Sequence, residues 1–451
     1  MNKRKNNRPM SVITMGCRVN QFETELLRHG GFERGFVSAS KNQQPELIIV
    51  NTCSVTAESD RQARQLIRRA ARKNPQAHIV VTGCYAQRTP ERLAELPQVR
   101  LVLGNQEKSE LWHHVDRMLL ETLSGVAQRD STICVGNIAE LSQVPDRPIV
   151  DHFAERARAF VQLQDGCDRS CTYCLIPAVR GPSRSLTPEQ ILAQARQFIQ
   201  AGYQELVLTG IDLGSYGSDL TPNLPLADMI EQIASLEGLG RVRLSSIDPA
   251  DIDDALIQLF EKEKKICPYL HLSIQSGDDM ILKRMGRRGT HDQIVAQIGR
   301  LKKARPETLL GADFIVGFPT ESQPAFLQSL TLVNETRLAF LHTFRYSDRP
   351  GTPAAQIPQR FRVADGEAKT RSEILRQAGE KNHLEAMEKE LGKSGQVLIE
   401  SINEEGRGRG KLDSFLSITF DCTAGEKVGE IRKVVVEGLD RVNSELVGIL
   451  P

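Results

Sequence analysis

Residues 159–185, AFVQLQDGCDRSCTYCLIPAVRGPSRS, decide the fold of the central part of this chain. The stretch opens with an apolar run at 159–164, typical of a buried strand, and a cluster of cysteines follows it directly. Helical segments separate this strand from later strand-like runs at 205–209, 242–246, 270–275, 310–316 and 339–345. This succession of strand–helix units predicts a complete or partial βα barrel, in which the carboxyl ends of the strands carry the active site.

The cysteines of this stretch, Cys167, Cys171 and Cys174, have the spacing C-x3-C-x2-C. Thiolates so close together indicate a metal site. Structural zinc takes four protein ligands, and no fourth Cys or His lies nearby in the sequence. An iron–sulfur cluster held by three cysteines keeps one iron open, and that iron can chelate the amino and carboxylate groups of S-adenosylmethionine. The alternatives are a chance grouping and a zinc loop that a distant ligand completes.

An N-terminal block, residues 1–123, shows a similar alternation. Strand-like runs lie at 11–14, 46–51, 78–82 and 100–103. Helical stretches lie near 20–30, 58–73, 89–96 and 107–123. Short apolar strands alternating with helices predict a doubly wound parallel α/β sheet.

A second set of cysteines follows the first three of these strands. Cys17, Cys53 and Cys84 each lie within one to three residues of a strand end. The carboxyl ends of parallel strands share one edge, which is where open α/β sheets bind ligands. We therefore expect these thiols to converge on a second open cluster, although buried cysteines are also common without any ligand.

Composition limits the classes of function. The chain has 451 residues and a formal net charge of +1, which excludes a globally basic coat for nucleic acid. No apolar stretch reaches the ~18 residues of a membrane span, and none follows the basic start as a signal peptide would require. Nine cysteines without an export signal favour metal or redox chemistry over disulfides, so we expect a cytoplasmic protein.

The remaining chain divides into three parts. Residues 124–152 lose the strand–helix pattern and are predicted to be a linker. The barrel block spans 153–391, and its charged helical extension begins near residue 364. The tail, 392–451, carries short β-rich runs between Gly and charged turns, which predict a small β-barrel.

These motifs together give the chain a family resemblance. It resembles the radical S-adenosylmethionine methylthiotransferases over nearly its whole length. The auxiliary-cluster motifs are MGCRVNQFETE, NTCSVT and GCYAQ, and the radical-cluster loop is DGCDRSCTYCLIPAVRGPSRS. The later barrel motifs are LTGIDLGSYG, RVRLSSIDP, HLSIQSGDDMILKRMGR, GADFIVGFPTE and FRYSDRPGTPA. The tail is similar to the small RNA-binding TRAM domain, although poorer in Tyr and Gly, and Asp168-Arg169 stand where many relatives carry Asn.

The resemblance implies two [4Fe-4S] clusters and S-adenosylmethionine. Cys167, Cys171 and Cys174 would hold the cluster that cleaves S-adenosylmethionine to a radical, which abstracts a hydrogen from C2 of adenine. Cys17, Cys53 and Cys84 would hold the auxiliary cluster that supplies sulfur, and a second S-adenosylmethionine would supply the methyl group. An electron donor such as a flavodoxin or ferredoxin is implied. The two clusters must then face one substrate site.

Three branches of the family differ in substrate. One acts on N6-threonylcarbamoyladenosine in tRNA, one on isopentenyladenosine in tRNA, and one on an aspartate of a small-subunit ribosomal protein. Arg18-Val19-Asn20 after the first cysteine, together with VLGNQEKSEL at 102–111, resemble the threonylcarbamoyladenosine branch. The expected substrate is therefore this nucleoside at position 37, beside the anticodon. A non-catalytic iron–sulfur or zinc protein that binds RNA is the rival outside the enzyme class.

Weaker candidates surround the expected cofactor. The resemblance places Thr209 and Gly210 near the methionine amino group of S-adenosylmethionine. Tyr173 could pack on its adenine, Gly317 and Pro319 could let the backbone approach the adenine, and Ser273 and Gln275 alternate on one face of their strand and could point into the barrel. Tyr173 is about as well explained as a core aromatic, and Gln275 as a core amide with its hydrogen bonds satisfied.

A nearly neutral chain needs local basic surfaces to hold an anticodon loop. Arg61, Arg64, Arg68 and Arg72 share one face of the helix predicted after Cys53, opposite an apolar face. A second basic group consists of Lys283, Arg284, Arg287 and Arg288. A third consists of Arg407, Arg409 and Lys411, and the glycines between them predict a loop. Solvated surface charge is the alternative for each group.

Overall fold

The N-terminal region is a parallel α/β sheet. The computed structural model describes residues 7–124, 131–153, 156–422 and 425–451. The strands of this sheet are β1 (Arg8–Thr14), β2 (Phe36–Ser38), β3 (Leu47–Thr52), β4 (His78–Gly83), β5 (Val99–Leu103) and β6 (Thr132–Cys134). Its helices are α1 (Arg18–Glu33), α2 (Ala57–Lys73), α3 (Cys84–Arg88), α4 (Pro90–Ala94) and α5 (Leu111–Leu123). The strand order is β2-β1-β3-β4-β5-β6, with parallel pairing throughout the described strands.

Both faces of this sheet are covered, as the alternation along β3 shows. Ile48 and Val50 pack with Ile67 of α2 on one face. Ile49 packs with Trp112 of α5 on the other. The doubly wound sheet predicted from the sequence is confirmed.

The segment expected to be a linker contributes to this sheet. Residues 132–134 form β6, which pairs in parallel with β5 from Leu101 to Leu103. Three residues are too few for a periodic pattern, so this strand is determined by the exposed edge of β5 and not by its own sequence.

The central region is the barrel. Its strands are β7 (Ala159–Gln162), β10 (Glu205–Thr209), β11 (Arg241–Leu244), β12 (Ser246–Ile247), β13 (Tyr269–Gln275), β14 (Leu309–Val316) and β15 (Phe340–Arg345), with a short antiparallel pair, β8 (Gln164–Asp165) and β9 (Arg184–Ser185). The helices are α6 (Ile176–Arg180), α7 (Pro188–Gln200), α8 (Leu226–Ala234), α9 (Asp254–Lys262), α10 (Asp279–Met285), α11 (His291–Ala304) and α12 (Gln323–Thr336).

The barrel is open along one side. β11-β10-β7 form one parallel run and β12-β13-β14-β15 another, and β11 and β12 follow each other directly in the chain. Among the described strands, β7 and β15 are edges that do not pair with each other. Helix α1 packs beside β7, and its Phe22 enters the barrel's hydrophobic core. The N-terminal region therefore covers the open side.

The tail forms a closed β-barrel behind a long helix. Helix α13 (Asp365–Glu388) leads into β16 (Ser394–Ile402), β17 (Arg407–Leu412), β18 (Ser417–Asp421), β19 (Ile431–Asp440) and β20 (Glu445–Ile449). The closed order is β16-β17-β18-β20-β19. The mixed α/β class with a partial barrel and a C-terminal β-barrel is confirmed.

The Arg–Gly stretch of the tail is a strand and not the predicted loop. Gly408 and Gly410 alternate with Arg407 and Arg409 along β17, so the glycines face inward and the arginines are exposed. A Cβ on Gly408 would lie 2.3 Å from the Phe420 ring, so the glycine leaves room for that core side chain. The glycines were thus mistaken for turn residues when they mark close packing.

A buried charge cluster fastens the tail to the barrel. Glu205 accepts hydrogen bonds from Arg241 and Arg243, and Arg243 also donates to the carbonyl of Asp413 at 3.0 Å.

Helices long and apolar enough to cross a membrane do not occur in the described ranges.

Candidate cluster and substrate site

Cys167, Cys171 and Cys174, called the contiguous triad below, lie in the loop between β8 and α6, at the carboxyl end of the first barrel strand. Backbone N–H groups already point at two of its sulfurs: that of Arg169 at Sγ of Cys167 and that of Ile176 at Sγ of Cys174, each at 3.4 Å. Burial raises the pKa of Cys167 to about 12. Donors aimed at sulfur favour the thiolate that burial opposes, as a metal-ligating loop requires.

The loop is held from the far side of the barrel. Thr172 donates its N–H to the carbonyl of Met285 at 2.9 Å and its hydroxyl to that of Arg284 at 2.8 Å. Arg287 places Nη1 3.8 Å from Sγ of Cys171 and pairs with Asp248 at 3.0 Å. Arg287 is therefore buried beside the cysteine loop and is not part of the predicted surface patch.

Arg169, inside the loop, adds a second anchor. Its guanidinium donates to Asp212 at 2.8 Å and also to Asp251. Asp212 in turn lies 3.8 Å from Sγ of Cys167. The side chain that departs from the pattern of many relatives is thus fixed by barrel carboxylates.

Cys17, Cys53 and Cys84, called the dispersed triad below, lie at one edge of the N-terminal sheet. Cys17 precedes α1, Cys53 follows β3 and Cys84 opens α3 directly after β4. Since β2 lies on one side of β1 and β3 on the other, Cys17 and Cys53 flank the point where the strand order reverses.

Close backbone packing brings these cysteines together. Gly16 has φ +91°, and a Cβ there would lie 2.8 Å from Sγ of Cys53. Gly83 has φ +98°, and a Cβ there would lie 2.4 Å from the carbonyl oxygen of Thr52. Only glycine fits either position, because it combines a left-handed backbone with no side chain.

The donor sets fit clusters better than a single zinc ion. Zinc–sulfur bonds of about 2.3 Å bring tetrahedral sulfurs within about 4 Å of one another. Among the described residues, the one group whose donor atoms all lie within 4.8 Å is His271, Asp313 and His342, so neither cysteine triad is that compact. All nine cysteines, which fall within the described ranges, are free thiols.

One buried arginine connects the two triads. Arg180, at the end of α6, is fully buried and pairs with Glu23 of α1 and Asp165, each at 2.9 Å. Its charge is close enough to Cys17 to lower the pKa of that thiol, although burial raises it overall. The loop of the contiguous triad therefore contributes the cation that lies beside the dispersed triad.

The two triads face each other across this interface. Burial raises the pKa of Cys174 to about 11, and neighbouring Cys171 and Cys84 act in the same direction. Asn105 bridges the same gap, because its Nδ2 lies 3.8 Å from Sγ of Cys84 and donates to the carbonyl of Val179 at 2.7 Å. The two cysteine sets thus lie on either side of this interface, and their sharing of one substrate site stays a prediction.

A bridging segment, residues 346–357, also connects both triads. Its buried Arg349 donates to the carbonyl of Ser54 and to Asp60, each at 2.9 Å. Its Ala354 donates an N–H to the carbonyl of Thr172 at 2.9 Å. The residue after Cys53 and the residue after Cys171 are thus fastened to one stretch of chain.

Two family models match this chain. Residues 10–104 match an uncharacterised protein family, UPF0004, and residues 161–333 match the radical SAM superfamily. A threonylcarbamoyladenosine tRNA methylthiotransferase, MtaB, from Rickettsia prowazekii is 40% identical over 92% of this chain and 94% of its own. The chain belongs to the radical S-adenosylmethionine methylthiotransferases.

Other relatives agree with this membership. The MtaB of Bacillus subtilis is 35% identical, over 94% of this chain and 92% of its own. A tRNA-2-methylthio-N(6)-dimethylallyladenosine synthase from Pelotomaculum thermopropionicum is 32% identical over 88% of each chain. Among solved structures, the radical S-adenosylmethionine methyltransferase TsrM from Kitasatospora setae has a TM-score of 0.57 at 13% identity, over 77% of each chain, which supports the fold alone.

Membership in the radical SAM superfamily implies a [4Fe-4S] cluster and S-adenosylmethionine. Near the contiguous triad, Thr209 is buried at the end of β10 and Gly210 packs against Gln164. The Gln164 side-chain oxygen accepts the N–H groups of Ile211 at 3.0 Å and Asp212 at 2.8 Å. Thr209 thus ends β10 and Gly210 begins the loop that Gln164 fixes in the methylthiotransferase.

The predicted Gly-Phe-Pro stretch meets the cysteine loop. Tyr173 packs on a small hydrophobic cluster that contains Phe318. Pro319 is buried, and Gly317 has φ +73° with its missing Cβ 2.7 Å from Cβ of Ala368. Packing against α13 therefore accounts for the glycine, and contact with the cofactor stays a prediction.

Ser273 and Gln275 lie on β13, where the pairing with β14 is irregular between Leu272 and Gln275. Both are partly exposed, and Gln275 has a left-handed backbone with φ +76°. A non-glycine residue in this conformation carries strain of the kind found at functional sites.

The predicted RNA-binding arginines differ in solvent exposure and in whether another side chain already pairs with them. On α2, Arg61 pairs with Glu58, and Arg64 donates to the Tyr85 hydroxyl at 2.5 Å. Arg68 and Arg72 are exposed. In the tail, Arg407 is exposed and Arg409 pairs with Glu445.

Sequence reasoning did not single out the side chains that connect the two triads. Arg180, Glu23 and Arg349 are buried polar residues. Arg180 and Glu23 lie 157 positions apart, and Arg349 and Ser54 lie 295 positions apart. The available signal was their position within the quoted family motifs. Without the fold, nothing distinguished them from solvated surface charges.

Proposed function

We propose that this methylthiotransferase adds a methylthio group to C2 of N6-threonylcarbamoyladenosine at position 37 of tRNA. The observation that carries the proposal is the meeting of the two cysteine triads across the Arg180 interface, where Asn105 Nδ2 lies 3.8 Å from Sγ of Cys84 and donates to the carbonyl of Val179 at 2.7 Å. The named activity of relatives at 35–40% identity over nearly the whole chain supports the choice of nucleoside.

Each triad has a distinct role in this proposal. Cys167, Cys171 and Cys174 hold the radical cluster, and Cys17, Cys53 and Cys84 hold a second [4Fe-4S] cluster. When bound, the clusters and S-adenosylmethionine supply hydrogen abstraction at C2, the sulfur and the methyl group. A protein of the flavodoxin or ferredoxin type delivers the electron that reduces S-adenosylmethionine.

The chain's own residues position these groups. Arg180 places a buried positive charge beside Cys17, which opposes the effect of burial and favours the thiolate. Helix α1 covers the open side of the barrel beside β7. The exposed arginines of α2, together with Arg407 of the tail, are suited to phosphates of the anticodon stem and loop.

Mass spectrometry of product nucleosides tests this function. The full chain, reconstituted anaerobically with iron and sulfide, is given S-adenosylmethionine, a reductant and tRNA carrying threonylcarbamoyladenosine at position 37. We expect 2-methylthio-N6-threonylcarbamoyladenosine from this tRNA and no methylthio product from tRNA carrying isopentenyladenosine. Product from the second tRNA alone would reassign the substrate, and zinc without iron in the purified protein would contradict the enzyme itself.

A further inference from the structure

A cavity of about 340 Å³ opens directly beside the dispersed triad. It is lined by the first turn of α1, by the edge strand β7 and by β10, β11 and the tail barrel. Its volume is in the range of small-molecule sites, roughly 300–1,000 Å³. One of its lining residues is Arg18, which directly follows Cys17 in the chain.

The cavity is strongly cationic. Its charged lining residues are Arg18, Arg156, Arg158, Arg243 and Glu400. Arg158 pairs with Glu205 at 3.2 Å and with Glu400, so the one lining carboxylate is already engaged. Excess positive charge in a half-enclosed space selects an anionic ligand.

Arg18 lacks a partner for its charge. Its Nη1 is buried and has no hydrogen-bond partner among the described residues. Arg243, its cationic neighbour, is satisfied by Glu205 at 3.1 Å and by the carbonyl of Leu412 at 3.3 Å. A buried guanidinium nitrogen without an acceptor is costly, so Nη1 of Arg18 indicates a ligand that pairs with it.

Gln21 supplies a second unpaired atom to the same cavity. Its Oε1 is buried and, like Nη1 of Arg18, has no partner within the described ranges. The two residues lie three positions apart on α1 and therefore share one face of the helix. The cavity thus offers a charged donor and a neutral acceptor side by side.

We propose that Arg18 and Gln21 bind the threonyl part of the substrate, with Arg18 paired to its carboxylate and Gln21 accepting from its hydroxyl or an adjacent N–H. This inference rests on the proposed function. On adenine, C2 and the carbon that bears N6 both flank ring nitrogen N1, so a group on N6 extends beside a sulfur donor at C2. The apolar isopentenyl group would leave the guanidinium unpaired, so the cavity also discriminates against that nucleoside.

A double-mutant cycle on binding tests the pairing. Fluorescence anisotropy measures affinity of the reconstituted full chain for anticodon stem-loops that carry threonylcarbamoyladenosine, its carboxamide analogue or plain adenosine at position 37. We expect the wild-type protein to bind the acid about tenfold to a hundredfold more tightly than the amide, as for a hydrogen bond between charged groups. Arg18→Gln should bind acid and amide equally, and Gln21→Ala should lose affinity for both by a few fold.

Two controls separate pairing from general effects. Arg376→Gln removes an equal charge from an exposed pair with Glu373 on α13 and should leave all affinities unchanged. Because Arg18 loses no hydrogen bond, Arg18→Gln should melt at the wild-type temperature or higher. A lower melting temperature would indicate a structural role and overturn the assignment.

The outcomes are distinguishable. If Arg18→Gln weakens binding of all three RNAs equally, Arg18 contacts a phosphate. If the variant keeps the full preference for the acid over the amide, the carboxylate binds at another residue. Either result overturns the inference. Failure of the proposed function differs, because the wild-type protein would then form no methylthio product on the threonylcarbamoyladenosine RNA, whatever its affinity.

Discussion

The two cysteine triads of this methylthiotransferase are built in opposite ways. Cys167, Cys171 and Cys174 lie in one short loop, and the backbone of that loop donates to their sulfurs. Cys17, Cys53 and Cys84 come from separate strand ends and meet only when the sheet has its native order. The chain itself keeps the first three cysteines close together, whereas tertiary structure alone brings the second three together, which predicts different responses to mutation.

The largest expected effect separates the chemical roles of the triads. Cys171→Ala should reduce formation of 5′-deoxyadenosine by roughly a thousandfold or more, because the groups that hold one cluster act as a unit. Cys84→Ala should still form 5′-deoxyadenosine and yield no methylthio nucleoside. Both products are measured by mass spectrometry in single-turnover reactions.

Cys267→Ala is the matched control, since Cys267 is buried in the barrel away from both triads. It should keep both products. Loss of 5′-deoxyadenosine in Cys84→Ala as well would contradict the division of roles.

The interface between the triads should be the next most sensitive region. Burial alone would raise the pKa of Glu23, but Arg180 and Lys108 outweigh it and hold the pKa well below its usual range. Glu23→Gln leaves Lys108 buried without its carboxylate and leaves Arg180 paired with Asp165 alone, so we expect a loss of about 3–5 kcal/mol in the free energy of unfolding. Denaturant titration measures this loss.

The same carboxylate gives stability a defined pH dependence. A group whose folded pKa is depressed stabilises the protein above its unfolded pKa, about 4.3 for Glu, and that contribution is lost as pH falls toward the folded value. The melting temperature of the wild-type protein should therefore drop more steeply below about pH 4.3 than that of Glu23→Gln. Parallel curves would contradict the assignment of this dependence to Glu23.

The sequence predicted the elements better than their connections. Strand ends, the helix after Cys53 and the capping box of α7, with Thr187 and Gln190, follow from periodicity and local hydrogen bonding. The short strand β6 and the inward glycines of β17 do not, because neighbouring strands determine them. The six cysteines could be predicted because their spacing and their positions after strand ends are visible in the sequence. The roles of Arg180 and Arg349 could not, because their partners lie far away in the chain.

A glycine pair tests the dependence of the dispersed triad on close packing. Gly83 and Gly202 both have left-handed backbones, with φ +98° and +96°, but only Gly83 is crowded. Gly202→Ala should cost about 1–2 kcal/mol, the backbone term alone. Gly83→Ala should cost more and also lower the iron content per chain, measured after reconstitution. Equal costs and equal iron would show that crowding at Gly83 is unimportant.

The smallest expected effect concerns RNA. Arg68→Gln and Arg72→Gln should each weaken tRNA binding a few fold and reduce the dependence of affinity on salt by about one phosphate contact. Filter binding across a salt series measures both quantities. Arg300→Gln, an exposed arginine paired with Asp254 on the barrel, is the control and should change neither.

The contact of Arg349 with Ser54 has a consequence for biosynthesis. The two residues are 295 positions apart, so at about 5–20 residues per second the ribosome needs roughly 15–60 s to supply the arginine after the serine. During that interval the N-terminal sheet emerges with Cys17, Cys53 and Cys84 already synthesised and the bridging segment still missing. The nascent chain thus carries the three thiols of the dispersed triad before the bridging segment is available to pack against Ser54.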